Sequence, residues 1–254
     1  MHQTDAGLGA ILVHGLWHGG WVWDAVRRDL DRAGVANAVV ELPMSDLAAD
    51  IAATSRAIDE FDRATVLVGH SYGGAVITDA GTHPHVAHLL YLAAYQLAEG
   101  ESVGRTLPDL GIPPTRLGEA MRFSDDGQVV TLDPGLAAEL LFGDVPADAV
   151  SAAISRLRPV RRAVFRGVPE RIAWRSRPST YVVCAADQVV NPDLERAMAA
   201  RATTRYQWPG GHSPMLTRPG TVAALIASLA ERPRSECADV GGDADQAFGC
   251  RPGT

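Results

Sequence analysis

The chain has 254 residues, 46% of them hydrophobic and 21% charged, which suits one large α/β domain with a complete core. Its formal net charge of −7 argues against a nucleic-acid surface, and no apolar run approaches the length of a membrane span. All 23 basic residues are arginine, and the missing lysine excludes Schiff-base chemistry and any step that needs a lysine ammonium.

The elements alternate in type along the chain. Gly9–Val13 reads as a strand, and Trp23–Ala33 carries a helical pattern that stops at Gly34. Asn37–Leu42 is a strand ended by Pro43; Ser45–Phe61 is helical, with Ser45 or Asp46 as N-cap. Thr65-Val66-Leu67-Val68 is a buried strand running into a small-residue helix after Gly73, and His88–Ala94 is the next strand. Further on come a strand at Thr180–Ala185, a helix near Asp193–Ala202, a strand at Thr204–Trp208 and a last helix at Thr221–Glu231. Strands spaced by helices predict an α/β fold, a mainly parallel sheet of about six strands covered on both faces.

Between about Tyr95 and Pro178 the alternation breaks. Pro108, Pro113, Pro114, Pro134, Pro146 and Pro159 punctuate this stretch, with short helical pieces at Leu136–Phe142 and Ala147–Arg156. So long an interruption predicts a helical cap inserted over the active face. The expected organisation is a core of residues 1–95 and 179–231, a cap over 96–178, and a disordered tail over 232–254, which is rich in Gly, Asp, Pro and Ser. Cys184 falls within a predicted strand as a small buried residue, whereas Cys237 and Cys250 lie in the tail, where their redox state is open.

Gly69-His70-Ser71-Tyr72-Gly73 follows the central strand and opens a helix. A Gly-x-Ser-x-Gly turn in that context holds the serine in a strained conformation with its hydroxyl above the sheet. The Tyr72 N–H then starts a helix, where orphan donors favour developing negative charge. A second turn, His14-Gly15-Leu16-Trp17-His18-Gly19-Gly20-Trp21, leaves the first strand at the carboxyl edge, where ligands bind in open α/β sheets. The Leu16 N–H can join that of Tyr72 as an oxyanion hole, while Trp21 and Trp23 read as packing residues.

A serine nucleophile needs a base, and the base an orienting carboxylate. Of eight histidines, His212 sits in Gly210-Gly211-His212-Ser213-Pro214, between the last strand and the last helix. His14, His18 and His70 belong to the two turns and read as loop-shaping. His83, His85 and His88 lack a standard zinc spacing, so no metal and no cofactor is expected. Asp187, at the tip of the strand ending in Cys184, is the candidate acid; Asp193 and Glu195 follow Asn191-Pro192 and read as helix-start partners. The order Ser71, Asp187, His212 is that of α/β-hydrolases.

These motifs together resemble the α/β-hydrolase superfamily, in the branch of plant methylesterases, hydroxynitrile lyases and related bacterial carboxylesterases. The likeness spans about residues 9–230, with the cap matched only by position and size. It implies a catalytic triad of Ser71, His212 and Asp187 with oxyanion donors Leu16 and Tyr72. Hydroxynitrile lyases of this group carry threonine in place of Gly15 and a lysine shortly after the catalytic histidine. This chain has neither, which disfavours lyase activity and favours a carboxylesterase.

The expected reaction is hydrolysis of a small or medium hydrophobic carboxylic ester or lactone through an acyl-enzyme. Trp17, Tyr95, Trp174, Val189 and Met215 are candidates for substrate binding, with Phe142 and Phe165 above them in the cap. Two other readings stay open: a biosynthetic tailoring enzyme (cyclisation, rearrangement or thioester release), and a receptor-like hydrolase with little turnover. Expected partners are a small-molecule ester substrate and, in a homodimer, a second copy; a monomer is equally expected. No nucleic acid and no membrane is expected, and the absence of an apparent signal segment predicts a cytoplasmic address.

Overall fold

The computed structural model describes residues 7–231. In chain order the core elements are β1 (Gly9–Val13), α1 (Asp24–Arg32), β2 (Asn37–Val40), α2 (Leu47–Phe61), β3 (Thr65–His70), α3 (Gly73–Ala80) and β4 (Val86–Leu92). The insertion then contributes α4 (Leu117–Ala120), β5 (Met121–Phe123), β6 (Val129–Leu132), α5 (Pro134–Phe142), α6 (Ala147–Ser155) and β7 (Val160–Arg161). The core resumes with β8 (Ser179–Cys184), α7 (Pro192–Ala199), β9 (Thr204–Trp208), α8 (Pro214–Thr217) and α9 (Pro219–Ala230). The expected tail at 232–254, with Cys237 and Cys250, lies outside the described residues.

Six parallel strands form the main sheet in the order β2-β1-β3-β4-β8-β9. Period-two alternation splits their apolar side chains between two cores. Ile11, Val13, Leu67, Leu89, Tyr91 and Tyr181 join one core, to which Ile58 of α2, Val76 of α3 and Met198 of α7 belong. Ala10, Leu12, Val66, Val68, Leu90 and Val182 join the other, with Val26 and Leu30 of α1 and Val222 and Ile226 of α9. The middle strands are therefore buried on both faces, which explains why β1, β3 and β8 read as unbroken apolar runs. Each fully buried Leu, Ile or Val side chain contributes about 1.5–3 kcal/mol.

Local signals set most boundaries. Asp46 Oδ1 accepts the Ala49 N–H at 2.9 Å and caps α2. Asp133 before Pro134, and Asn191 before Pro192, cap α5 and α7 in the same way. Cys184 is a free buried thiol at the end of β8, as its place in a strand implied.

The insertion departs from the expected helical cap. It holds helices α4 to α6, but also a three-stranded antiparallel sheet in the order β5-β6-β7. Gly127, at φ 67°, closes the turn between β5 and β6 after Asp126, and Val129-Val130-Thr131-Leu132 returns along Met121–Phe123. Asp-Gly between two β-prone runs is a strong hairpin signal.

Candidate active site

Ser71 stands between β3 and α3 at φ 54°, in the left-handed region that a residue with a Cβ occupies only under strain of about 1–3 kcal/mol. Three backbone bonds hold it there. Its N–H donates to Leu92 O, and its carbonyl accepts from Gly74 N–H and Tyr95 N–H, all at 3.0–3.2 Å. The flanking glycine is a packing requirement: a Cβ on Gly69 would lie 2.6 Å from Gly73 O, where strand and helix cross.

The loop after β1 comes against this turn. A Cβ on Gly15 would lie 2.8 Å from Ser71 Cβ, so loop and serine are in direct apposition. Among the described residues neither the Leu16 N–H nor the Tyr72 N–H is given to a protein acceptor. Both donors are thus left for a ligand beside Ser71, and Tyr72 caps the N-terminus of α3, where the dipole adds to them. The Tyr72 side chain is anchored below: its hydroxyl donates to Asp50 Oδ2 at 2.6 Å, while Asp50 Oδ1 accepts the Met44 N–H at 2.8 Å. Burial raises the Tyr72 pKa far above that of a free phenol, with the Asp50 charge adding to it, so the hydroxyl stays a donor.

His212 and Asp187 meet as the sequence order predicts, with Nδ1 of the ring 2.6 Å from Asp187 Oδ2 and both side chains buried. Asp187 Oδ1 accepts the Val189 and Val190 N–H groups at 2.6 and 2.9 Å, which fixes the carboxylate plane. The insertion steadies the histidine loop: Asp144 Oδ2 accepts the Gly211 N–H at 2.7 Å, and Ser213 Oγ donates to Leu141 O at 2.7 Å. Ser71 Oγ has no protein partner among the described residues, and no direct bond to the His212 ring is made.

The loop histidines pack around the site that the two turns form. His70 Nε2 lies 2.8 Å from His212 O, so that nitrogen carries the proton, and the two rings lie 4.7 Å apart, tilted by 52°. His18 packs edge-on to Trp21 and Phe142 and sits 5.7 Å from His70. His14 accepts the Leu42 N–H at Nε2 and therefore donates from Nδ1 to Gly15 O at 2.9 Å. Burial lowers all three pKa values, that of His14 to about 4 and those of His18 and His70 well below the ordinary imidazole value, with His212 adding to the effect on the latter two. These rings are neutral packing and positioning groups around His212. Their signal in the sequence was only proximity to the two turns.

The five candidates for substrate binding separate. Tyr95 and Val189 line a cavity of about 260 Å³ together with Thr106, Pro113, Leu117 and Met121. Ser71 and His212 do not line it, but its walls are tied to them: Tyr95 N–H donates to Ser71 O and Val189 N–H to Asp187 Oδ1. Trp17 is buried as a joint, its indole donating to Val130 O and its carbonyl accepting the Arg158 N–H from the insertion. Met215 belongs to the core with Leu12, Trp23 and Val222, because α8 carries it under the sheet side of the loop. Trp174 is away from the site. It donates to Leu97 O beside Arg175 and Arg201, and neighbouring Ala173 packs at Gly81, the opposite end of α3 from Ser71.

Of the rival acids, Asp193 is exposed and paired with Arg196, as a helix-start residue should be. Glu195 is completely buried, contrary to that reading. The histidines at 83 and 88 pair with Asp59 and Thr180.

A family model described as Alpha/beta hydrolase family matches residues 10–225. The chain belongs to this family. It is 27% identical over 254 residues to a carbendazim hydrolyzing esterase of Nocardioides sp. (strain SG-4G), covering 86% of this chain and 98% of the relative. It is 23% identical to Methylesterase 7 of Arabidopsis thaliana over 264 residues, covering 87% and 95%. The crystal structure of a pyrethroid hydrolase from Sphingobium faniae JZ-2 superposes with a TM-score of 0.75 at 23% identity, covering 89% of this chain and 98% of that one, a likeness of fold. Within the α/β-hydrolase family the chain thus sits in the branch of plant methylesterases and bacterial esterases, as an enzyme of the carboxylesterase type. Among the described residues no helix is long and apolar enough to cross a membrane.

Proposed function

We propose that this α/β-hydrolase cleaves a small or medium hydrophobic carboxylic ester, or a lactone, through an acyl-enzyme on Ser71. The observation that carries the reading is Ser71 at φ 54° beside two uncommitted N–H groups, with the His212–Asp187 pair at 2.6 Å in the neighbouring loops. His212 Nε2 takes the Ser71 proton as Oγ attacks the carbonyl carbon. The Leu16 and Tyr72 N–H groups receive the charge on the carbonyl oxygen, and Asp187 holds the tautomer and balances the imidazolium. His212 returns the proton to the departing alcohol; water then repeats the sequence and frees the acid. Each oxyanion donor is worth about 10²–10³ in kcat.

The cavity beside Tyr95 and Val189 is the reading's site for the substrate's non-reacting arm. Its mostly apolar wall favours a hydrophobic group, while Tyr95, Thr106 and Thr115 supply polar contacts at its rim. Relatives named for carbendazim hydrolysis and for methylesterase activity support an ester or ester-like carbonyl as the target.

Hydrolysis of p-nitrophenyl acetate and butyrate by wild type and Ser71→Ala, with mass spectrometry after a serine-directed phosphonate, tests the reading. Turnover lost in the variant, with the label on Ser71, is the expected result. Label without turnover would point to a tailoring or sensing role, and neither label nor turnover would overturn Ser71 as nucleophile.

A further inference from the structure

Glu195 lies on α7 with no exposed surface. Its Oε2 accepts the Cys184 N–H at 3.0 Å, and its Oε1 is buried with no N–H or hydroxyl donor to meet it. Cys184, which gives Glu195 its N–H, accepts the Asp187 N–H at its own carbonyl at 3.2 Å, so the two carboxyls belong to one buried turn. We propose that Glu195 is a positioning residue that carries a proton at Oε1 and donates it in a hydrogen bond to Asp187, so that the partner of His212 is gripped from both sides. The inference rests on the reading of His212 and Asp187 as an active pair.

The accounting of donors decides which carboxyl holds the proton. Asp187 already accepts two backbone N–H groups and the His212 ring nitrogen, all within 2.9 Å, which suits a carboxylate. Glu195 has one backbone donor for two oxygens. The one nearby cation, Arg196, is turned outward, where it bonds Asp193 Oδ1 and Gln207 Oε1. Two adjacent buried carboxylates cannot both stay ionised, so the group with fewer donors takes the proton. The other groups facing Glu195 are Tyr181, Tyr95 and Cys184, each held neutral by burial and by these two acids. Burial, first, and the Asp187 charge, second, raise the Glu195 pKa well above the ordinary glutamate value, in agreement with the geometry.

A neutral donor on Asp187 fixes, from a second side, the carboxylate that orients the His212 ring.

The test uses the full chain and its Glu195→Gln and Glu195→Met variants. Gln keeps a donor for Asp187 and an acceptor for Cys184, whereas Met removes both. A raised folded pKa means stability that is present below the unfolded value of 4.5 and lost as pH rises toward the folded value. Thermal melts should therefore show Glu195→Gln gaining on wild type with rising pH, by up to about tenfold in the folding equilibrium per pH unit. The downfield His212 Nδ1–H proton resonance, which reports the bond to Asp187, should keep its wild-type position in the Gln variant and move in the Met variant.

A Gln variant whose stability difference from wild type does not change with pH, or a Met variant whose His212 Nδ1–H resonance stays at the wild-type position, would overturn the proposal. If neither variant folds, carboxyl ¹³C resonances of glutamate-labelled wild type decide it. One glutamate should keep its proton through the range in which the others ionise; uniform titration refutes the assignment. None of these readouts needs turnover, so a failed esterase assay leaves them interpretable.

Discussion

His70 Nε2 donates to the backbone carbonyl of His212 at 2.8 Å, and the two rings lie 4.7 Å apart. The residue before Ser71 thereby holds the loop that carries His212. One such bond is worth about 1 kcal/mol net, and a tenfold change in rate corresponds to about 1.4 kcal/mol. His70→Ala should accordingly lower kcat for p-nitrophenyl butyrate by roughly fivefold, more if the His212 loop moves. Steady-state kinetics beside a thermal melt checks this; unaltered kcat in a folded variant would show that His212 does not depend on the contact.

The strain at Ser71 predicts an exchange of stability for function. A left-handed backbone at φ 54° is accessible to glycine without the Cβ clash. Ser71→Gly should be inactive yet about 1 kcal/mol more stable than Ser71→Ala, which keeps the Cβ. Denaturant melts of the two variants decide it, since equal stability would mean that the turn relaxes when the hydroxyl is gone.

Much of this was legible in the residues. β1, β8 and β9 begin and end within a residue of where the sequence put them, β3 runs two residues past Val68, and Ser71, Asp187 and His212 fall at sheet-edge turns because strand ends are where α/β folds place loops. What could not be read depended on contacts between distant segments. Nothing local tells that Trp17 bonds Val130, 113 residues away, or that Met215 turns into the core while Val189 faces a cavity. Glu195 was misread for the same reason: an acidic residue in a first helical turn is normally solvated, and only the packing of α7 under β8 buries this one. The hairpin of the insertion was visible at Asp126-Gly127, but a proline-rich context favoured helices and loops.

Asp50 offers a third test, since it alone meets the Tyr72 hydroxyl. In Tyr72→Phe that carboxylate loses a 2.6 Å charge-assisted bond inside the core while keeping the Met44 N–H. Leaving a buried acceptor short of a donor costs about 1–3 kcal/mol. Tyr72→Phe should unfold at lower denaturant, with a smaller loss of kcat than any nucleophile variant because the backbone N–H remains. A variant as stable as wild type would mean that solvent reaches Asp50.

Acid should unfold the protein earlier than its exposed carboxylates require. Burial depresses the folded pKa of His14 to about 4 and those of His18 and His70 well below 6.5, whereas the unfolded chain protonates them near 6.5. The unfolded state then binds more protons, so this stability is complete above 6.5 and declines as pH falls toward the folded values. The loss approaches about 1.4 kcal/mol per pH unit for each of the three. Glu195 and Asp50, whose pKa values are raised, act in the opposite sense and offset part of it. Denaturant midpoints should drop steadily between pH 6.5 and 4.5, and a flat profile would mean that these rings are hydrated.

Filling the cavity should divide substrates by size. Val189 is nearly buried, lines the 260 Å³ space opposite Tyr95, and gives its N–H to Asp187. Val189→Phe keeps that backbone bond while placing a ring where the substrate's arm is proposed to lie. A larger side chain that enters this free space costs little folding energy compared with overpacking a filled core, where about 1–3 kcal/mol is typical. The variant should therefore stay folded and keep most of its kcat/KM on p-nitrophenyl acetate, whose acyl arm needs little room. On longer acyl esters it should lose about 10–200-fold, the range that misfit of one or a few methylenes produces. The ratio of the two kcat/KM values is the measurement, because a general loss of catalysis lowers both together. Equal losses on short and long esters would place the arm elsewhere, and the cavity would then be a feature of the insertion and not of the substrate site.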